Sequence, residues 1–201
     1  SRRDSRVVGM RVVDAEDAAP RGGQLALGAR EGERVKTVAA LLAAALPGVR
    51  PSWDSFPEYV RHNISSTQHL LELARKSDVE RFIYASSSSV YGNAPDYPVT
   101  ESSPTNPISP YGLTKLVGEQ LCSIYAKTYG LSVCMPRFFT VYGPRQRPDM
   151  GIFKFFQSAF KGQEIQVFGD GSQERDFTFV SDIVDGLVLA ANSDIQGPLN
   201  L

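Results

Sequence analysis

Two apolar runs, RFIYAS (Arg81 to Ser86) and LSVCMPRFF (Leu131 to Phe139), most restrict what this chain can become. Each reads as a buried strand, and a helical stretch from about Tyr111 to Gly130 connects them, with Gly130 as its natural C-cap. Upstream, Val60, Ile64, Leu70, Leu71 and Leu73 recur at helical spacing from Phe56 to Lys76. Downstream, TVYGPRQRPDMG reads as a polar loop and IFKFFQSAFKG as an amphipathic helix. IQVFG and RDFTFV read as strands around a DGSQE turn, and SDIVDGLVLAAN as a helix capped by Ser181 or Asp182. Helices alternating with buried strands specify an α/β fold with a doubly wound parallel sheet.

With 201 residues, 42% hydrophobic and 21% charged, the chain suits one globular domain. Lysine and arginine (21) nearly balance aspartate and glutamate (22), so no polybasic surface marks a nucleic acid or membrane partner, and small-molecule chemistry is favoured. Cys122 and Cys134 lie in apolar segments and read as two buried thiols of a reducing compartment; no metal site is expected. The apolar run from Val38 to Leu46 is too short to span a bilayer, and the first residues lack a signal peptide's pattern, so a cytoplasmic location is expected.

The chemistry concentrates in SPYGLTKLVGE, residues 109–119. On a helix, Tyr111, Lys115, Gly118 and Cys122 fall in a stripe roughly 60° wide, while Leu113, Leu116, Val117, Leu121 and Ile124 face the other way. A phenol ionises near pH 10, and a neighbouring ammonium favours the phenolate, so this tyrosine can serve as a general base. Alone, a tyrosine and a lysine four apart are an ordinary helix pair. The pattern gains weight from ASSSSVYG, whose hydroxyls leave a buried strand at its carboxyl end, where open α/β sheets bind ligands.

From NISSTQHLLE through RFIYASSSSVYG, SPYGLTKLVGEQL, PRFFTVYGPRQRPDM and VFGDGSQERDFTFVSDIVDG to GPLNL, the chain resembles the extended short-chain dehydrogenase/reductases. Its closest likeness is to their NAD-dependent nucleotide-sugar epimerase/dehydratase group. The resemblance implies a Rossmann-like sheet, incomplete here, with part of a small C-terminal substrate lobe. Residues 1–40 are then an atypical segment, a candidate for disorder; 41–140 an NAD-binding portion; and 141–201 a partial substrate-binding portion with a returning helix. It also implies catalytic roles for Ser87, Tyr111 and Lys115, and NAD contacts by Asn63, Tyr111, Lys115 and Phe138. By the same resemblance, Arg50, Ser88, Ser89, Thr140, Arg147, Phe168 and Arg175 are expected to take the UDP-sugar. Relatives pair as homodimers through the helices carrying Tyr111 and residues 56–76, and the same is expected here.

Where dehydratases of the group carry an Asp-Glu pair, this chain has Ser88 and Ser89, which disfavours elimination and favours 4-epimerisation through a transient 4-keto sugar. Thr140 with Arg147 and Arg50 resembles the branch acting on UDP-glucuronate, with UDP-glucose/galactose next. The likeness fails at the N-terminus: RGGQLALGAREG lacks the spacing of a dinucleotide-binding turn, and no acidic residue follows at the expected distance. Residues 1 to about 40 read as a replaced or mistranslated segment and the chain as a member truncated at both ends. The alternatives are an inactive fragment or pseudoenzyme and a nucleotide-sugar dehydratase.

Overall fold

The computed structural model describes residues 40–42 and 45–201, apart from 78, 166, 168, 169, 172 and 173. Of the segment 1–40 expected to be atypical and a candidate for disorder, Ala40 instead opens a strand; its other residues, with the glycines of the atypical turn, lie outside the described residues.

A parallel sheet is built from β1 (Ala40–Leu42), β2 (Phe82–Tyr84), β3 (Ser86–Ser87), β4 (Val133–Phe138) and β7 (Gly197–Asn200). The strand is interrupted at Ala85, so β2 and β3 are successive pieces along one side of β4, pairing Phe82 with Val133 and then Ser86 with Arg137. β7 pairs with the other side of β4, and β1 with the outer edge of β2. TVYG, expected in a loop, instead supplies β5 (Thr140–Tyr142), parallel to β6 (Phe177–Phe179) in a separate two-stranded sheet. Tyr142 stands edge-on to Phe177 and Phe179, aromatic contacts with a partner distant in sequence that β5 could not advertise locally. Of IQVFG, Gln166, Phe168 and Gly169 lie outside the described residues, while Ile165 and Val167 are exposed and outside any strand.

Helices α1 (Pro51–Asp54), α2 (Phe56–Tyr59), α3 (Ser66–Lys76) and α4 (Pro110–Tyr129) precede α5 (Gly151–Phe160) and α6 (Val180–Ala191). Between α2 and α3 the chain widens into a π-helical turn, Val60–Ser65, within what the sequence presents as one helix. α4 begins where its chemistry requires. Ser109 accepts a hydrogen bond from the Gly112 amide, Pro110 occupies the first turn where its missing N–H costs nothing, and Gly130 closes the helix at φ +70°. Helix α6 departs from expectation: its N-cap is Phe179, without a side-chain cap, and the Ser181 hydroxyl donates to Asp182 instead.

Two cores flank the sheet. α3 and α4 cover one face through Leu71, Phe82, Tyr84, Cys122, Tyr125 and Met135; α6 covers the other through Ile83, Cys134, Ile183 and Leu187. The two cysteines are free thiols, one in each core. Gly118 lets α4 sit low enough to work: a Cβ there would overlap the hydroxyl end of buried Tyr84. Gly118→Ala is therefore expected to destabilise the chain by about 2–3 kcal/mol in a denaturant titration. Tyr84→Phe in the same chain should recover part of the loss, since the tyrosine oxygen is the nearest obstacle. No helix among the described residues is long and apolar enough to cross a membrane.

Candidate active site

Strands β3 and β4 run out into a cleft of about 810 Å³ whose walls include Ser87, Tyr111, Thr140, Arg147 and Arg175. Ser87 ends β3, buried, and its hydroxyl accepts the Ser89 amide, tightening the 3₁₀ turn Ser88–Val90. Gly112 allows α4 to meet that turn, since a Cβ there would come to 2.5 Å from the Ser89 carbonyl. Ser88 and Ser89 both line the cleft.

Tyr111 is fixed from three directions. Its amide donates to the hydroxyl of fully buried Ser52 at 3.1 Å, its ring meets Tyr59 edge-on at 6.3 Å, and its backbone carbonyl accepts the Thr114 hydroxyl at 2.8 Å. Tyr59 in turn donates to the Pro47 and Gly48 carbonyls, tying the cleft wall to the same tyrosine. Ser52 and Tyr59 are missed by sequence reading because neither lies near Tyr111 along the chain. Burial pushes the Tyr111 phenol above its usual pKa, against the lowering influence of Ser87 and the Arg147 charge; Tyr59 adds to the rise. This differs from the lowering expected of a Tyr-Lys pair. The Lys115 ammonium lies 5.9 Å from the centre of the Tyr111 ring and is aimed elsewhere, donating to the Ala85 carbonyl at 2.9 Å.

Lys115 itself is buried, and desolvation lowers its pKa to about 8. Among the described residues its ammonium has a single hydrogen-bond acceptor, although it carries three N–H donors. A buried ammonium with donors to spare suits the hydroxyls of a ribose, so this end of the site fits a dinucleotide.

Asn63 lies beneath. The π-helical turn delivers it to Leu46, whose amide it accepts and whose carbonyl it donates to, and its second N–H reaches the Thr114 hydroxyl at 3.0 Å. Its polar atoms are thus satisfied within the protein and order the end of the sheet under α4, while Thr67 satisfies the Asn63 carbonyl. Phe138 packs with the core under α6 and does not line the cleft. Arg50 is exposed beside cleft-lining Val49. Arg147 forms a two-point pair with Asp149 at 3.1 and 3.0 Å, and Arg175 donates to the Glu174 carbonyl. Phe168 lies outside the described residues. Arg145, passed over in the sequence, also lines the cleft at φ +66°, a left-handed conformation that costs a non-glycine residue about 1 kcal/mol.

Residues 29–200 match a family described as the NAD dependent epimerase/dehydratase family. Among curated relatives, an uncharacterized UDP-glucose epimerase, YtcB, of Bacillus subtilis (strain 168) is 48% identical over 145 residues, covering 72% of this chain and 46% of the relative. Among solved structures, UDP-glucuronic acid 4-epimerase from Bacillus cereus, in complex with UDP-glucuronic acid and NAD, superposes with a TM-score of 0.77. It is 43% identical, over 81% of this chain and 52% of that one. The NAD-dependent NDP-hexosamine 5,6-dehydratase TunA, involved in tunicamycin biosynthesis, superposes at 0.78 with 33% identity, over 82% of this chain and 55% of that one. The chain thus spans about half the length of the relatives it matches.

Proposed function

The chain belongs to the NAD dependent epimerase/dehydratase family, and on that premise we propose that it carries the reacting centre of an NAD-dependent UDP-sugar 4-epimerase. The observation that carries this reading is that Ser87 and Tyr111 line one cleft at the carboxyl ends of parallel strands, with the buried Lys115 ammonium behind the cleft wall, 5.9 Å from the centre of the Tyr111 ring.

In this reading the sugar C4 hydroxyl lies between Ser87 and Tyr111. Tyr111 removes its proton and later returns it, while the Ser87 hydroxyl donates a hydrogen bond to the oxygen as its charge changes. Lys115 holds the ribose of the dinucleotide, with Asn63 ordering the strand ends below it. NAD supplies the acceptor for hydride from C4 and the donor that returns it. Epimerisation is favoured over dehydration because Ser88 and Ser89 offer hydroxyls where water loss needs a proton-transferring carboxylate. The carboxylates lining the cleft among the described residues, Glu174 and Asp176, stand on the segment entering β6.

Within the epimerases, UDP-glucuronate is the favoured substrate. Thr140 and Arg147 line the cleft, and Arg147 already grips a carboxylate, that of Asp149, in the two-point geometry a sugar carboxylate would require. The test is NAD⁺ binding by calorimetry, with assay of cofactor released on denaturation, followed by turnover of UDP-glucuronate and UDP-glucose read by proton NMR. Arg147→Met is expected to weaken UDP-glucuronate turnover at least about tenfold more than UDP-glucose turnover. Absence of NAD⁺ binding at millimolar concentration would sink the epimerase reading for this chain, and equal losses on the two sugars would sink the carboxylate assignment.

A homodimer is the proposed assembly. Leu113 and Ile124, on the outward side of α4, are 45% and 55% exposed, and Trp53 and Phe56 flank Leu113 in an apolar groove. Light scattering should give twice the chain mass, and Ile124→Asp should return a monomer; a monomeric parent chain would rule the pairing out.

A further inference from the structure

A closed polar network lies behind the Ser87–Tyr111 pair, and the chemistry proposed above makes no use of it. Glu119 on α4 and Arg137 on β4 are 5% and 4% exposed. The guanidinium donates Nε to Oε1 at 2.9 Å and Nη2 to Oε2 at 2.7 Å, a two-point pair. The same Oε1 accepts the Ser86 hydroxyl at 2.5 Å. Arg137 also donates Nη1 to the Tyr91 hydroxyl and the Glu101 carbonyl, and Tyr91 donates to Asn200 on β7. The network therefore joins α4 to three neighbouring strands.

Its placement on α4 is regular. Tyr111, Lys115 and Glu119 follow one another at four-residue intervals over the consecutive residues 85–87: Lys115 donates to the Ala85 carbonyl, Glu119 accepts the Ser86 hydroxyl, and Tyr111 and Ser87 line the same cleft. Moving α4 along its axis by one residue, about 1.5 Å, would stretch both hydrogen bonds at once and carry Tyr111 away from Ser87. Replacing a buried ion pair with apolar residues often costs nothing, so net stability does not account for this one; fixing a register is the best-attested use of such groups.

We propose that Glu119 and Arg137 are positioning residues: by gripping Ser86 between α4 and β4, they set the register in which the Ser87 hydroxyl meets the Tyr111 phenol. The inference rests on the reading of Ser87 and Tyr111 as the reacting pair.

The experiment reads the Tyr111 phenol itself, by ¹⁹F NMR of the whole chain labelled with fluorotyrosine, whose lower intrinsic pKa brings the titration into the folded range. Tyr111→Phe assigns the resonance. Ser87, Lys115, Tyr59 and Arg147, the polar and charged groups around this ring, stay unchanged in the test variants. Ser87→Ala is the reference and should raise the Tyr111 pKa, because it removes a hydrogen bond to the phenolate. Two variants then probe the clamp: Glu119→Leu/Arg137→Met removes both charges together, and Ser86→Ala leaves the pair whole but cuts its link to β3. Both are expected to raise the Tyr111 pKa toward the Ser87→Ala value, by about half a pH unit or more. If the folded variants titrate like the parent, the clamp is only structural and the proposal is overturned. Should the double variant fail to fold, Ser86→Ala decides by the same criterion. No cofactor or turnover enters the readout, so failure to bind NAD⁺ leaves the result standing. If instead Ser87→Ala leaves Tyr111 unmoved, the pairing of Ser87 with Tyr111 fails and the proposal fails with it.

Discussion

Replacing Tyr111 by phenylalanine is expected to lower turnover by about three orders of magnitude, the range associated with loss of a positioned acid-base group, while unfolding free energy changes by no more than about 1 kcal/mol. The two effects separate because the contacts that hold this residue do not use its oxygen. Its amide keeps the bond to Ser52, and a phenylalanine ring keeps the edge-on contact with Tyr59. What disappears is the phenol proposed above as the proton carrier. Because burial holds the phenol above its usual pKa, the phenolate is a small fraction at neutral pH and grows as pH rises. Turnover by the parent chain should therefore climb on the alkaline side, and residual turnover by the variant should lose that dependence. A phenylalanine variant as active as its parent would remove Tyr111 from the base's role.

Lys115→Met is expected to make the chain more stable and to abolish NAD⁺ binding. The lysine is buried, and its pKa falls from 10.5 to about 8 through desolvation alone; at about 1.4 kcal/mol per pH unit this is about 3 kcal/mol of penalty for the charged form. Loss of the hydrogen bond to the Ala85 carbonyl offsets about 1 kcal/mol, leaving a gain of about 2 kcal/mol at neutral pH. Below pH 8 the lysine is protonated in both folded and unfolded chains, so the penalty is present in full. Between about 8 and 10.5 the folded chain gives up its proton while the unfolded chain keeps it, so the parent gains stability with pH. Above that window both forms are neutral and the variant's advantage is gone. Denaturant titrations at pH 7 and pH 10 measure this directly; an advantage that is constant with pH would mean that the lysine is not strained by its burial. A stabilising substitution that removes function is what a site built at a cost in stability should show.

Much of this site was legible from local pattern. Lys115 follows Tyr111 on the same helical stripe, Ser109 and Gly130 bound that helix with residues suited to capping, and the serines emerge directly from an apolar strand. Arg137, a charge within an otherwise apolar strand, and Glu119, four residues beyond Lys115, are passed over in sequence reading. Their pairing depends on α4 packing against β4, which no local window contains. The π-helical turn was hidden for a related reason: widening a helix for one turn leaves the apolar spacing nearly intact, while moving Asn63 to the Leu46 backbone and Thr114.

The sequence by itself determined the α/β alternation and the bounds of α4, because these follow from periodicity and capping, while its resemblance to a family singled out the company of Ser87, Tyr111 and Lys115. Tertiary structure alone decided the electrostatic state of that company. The phenol is raised and the ammonium lowered because the sheet, Tyr59 and α4 exclude water from both, and the cost of excluding water from a charge depends on everything packed around it.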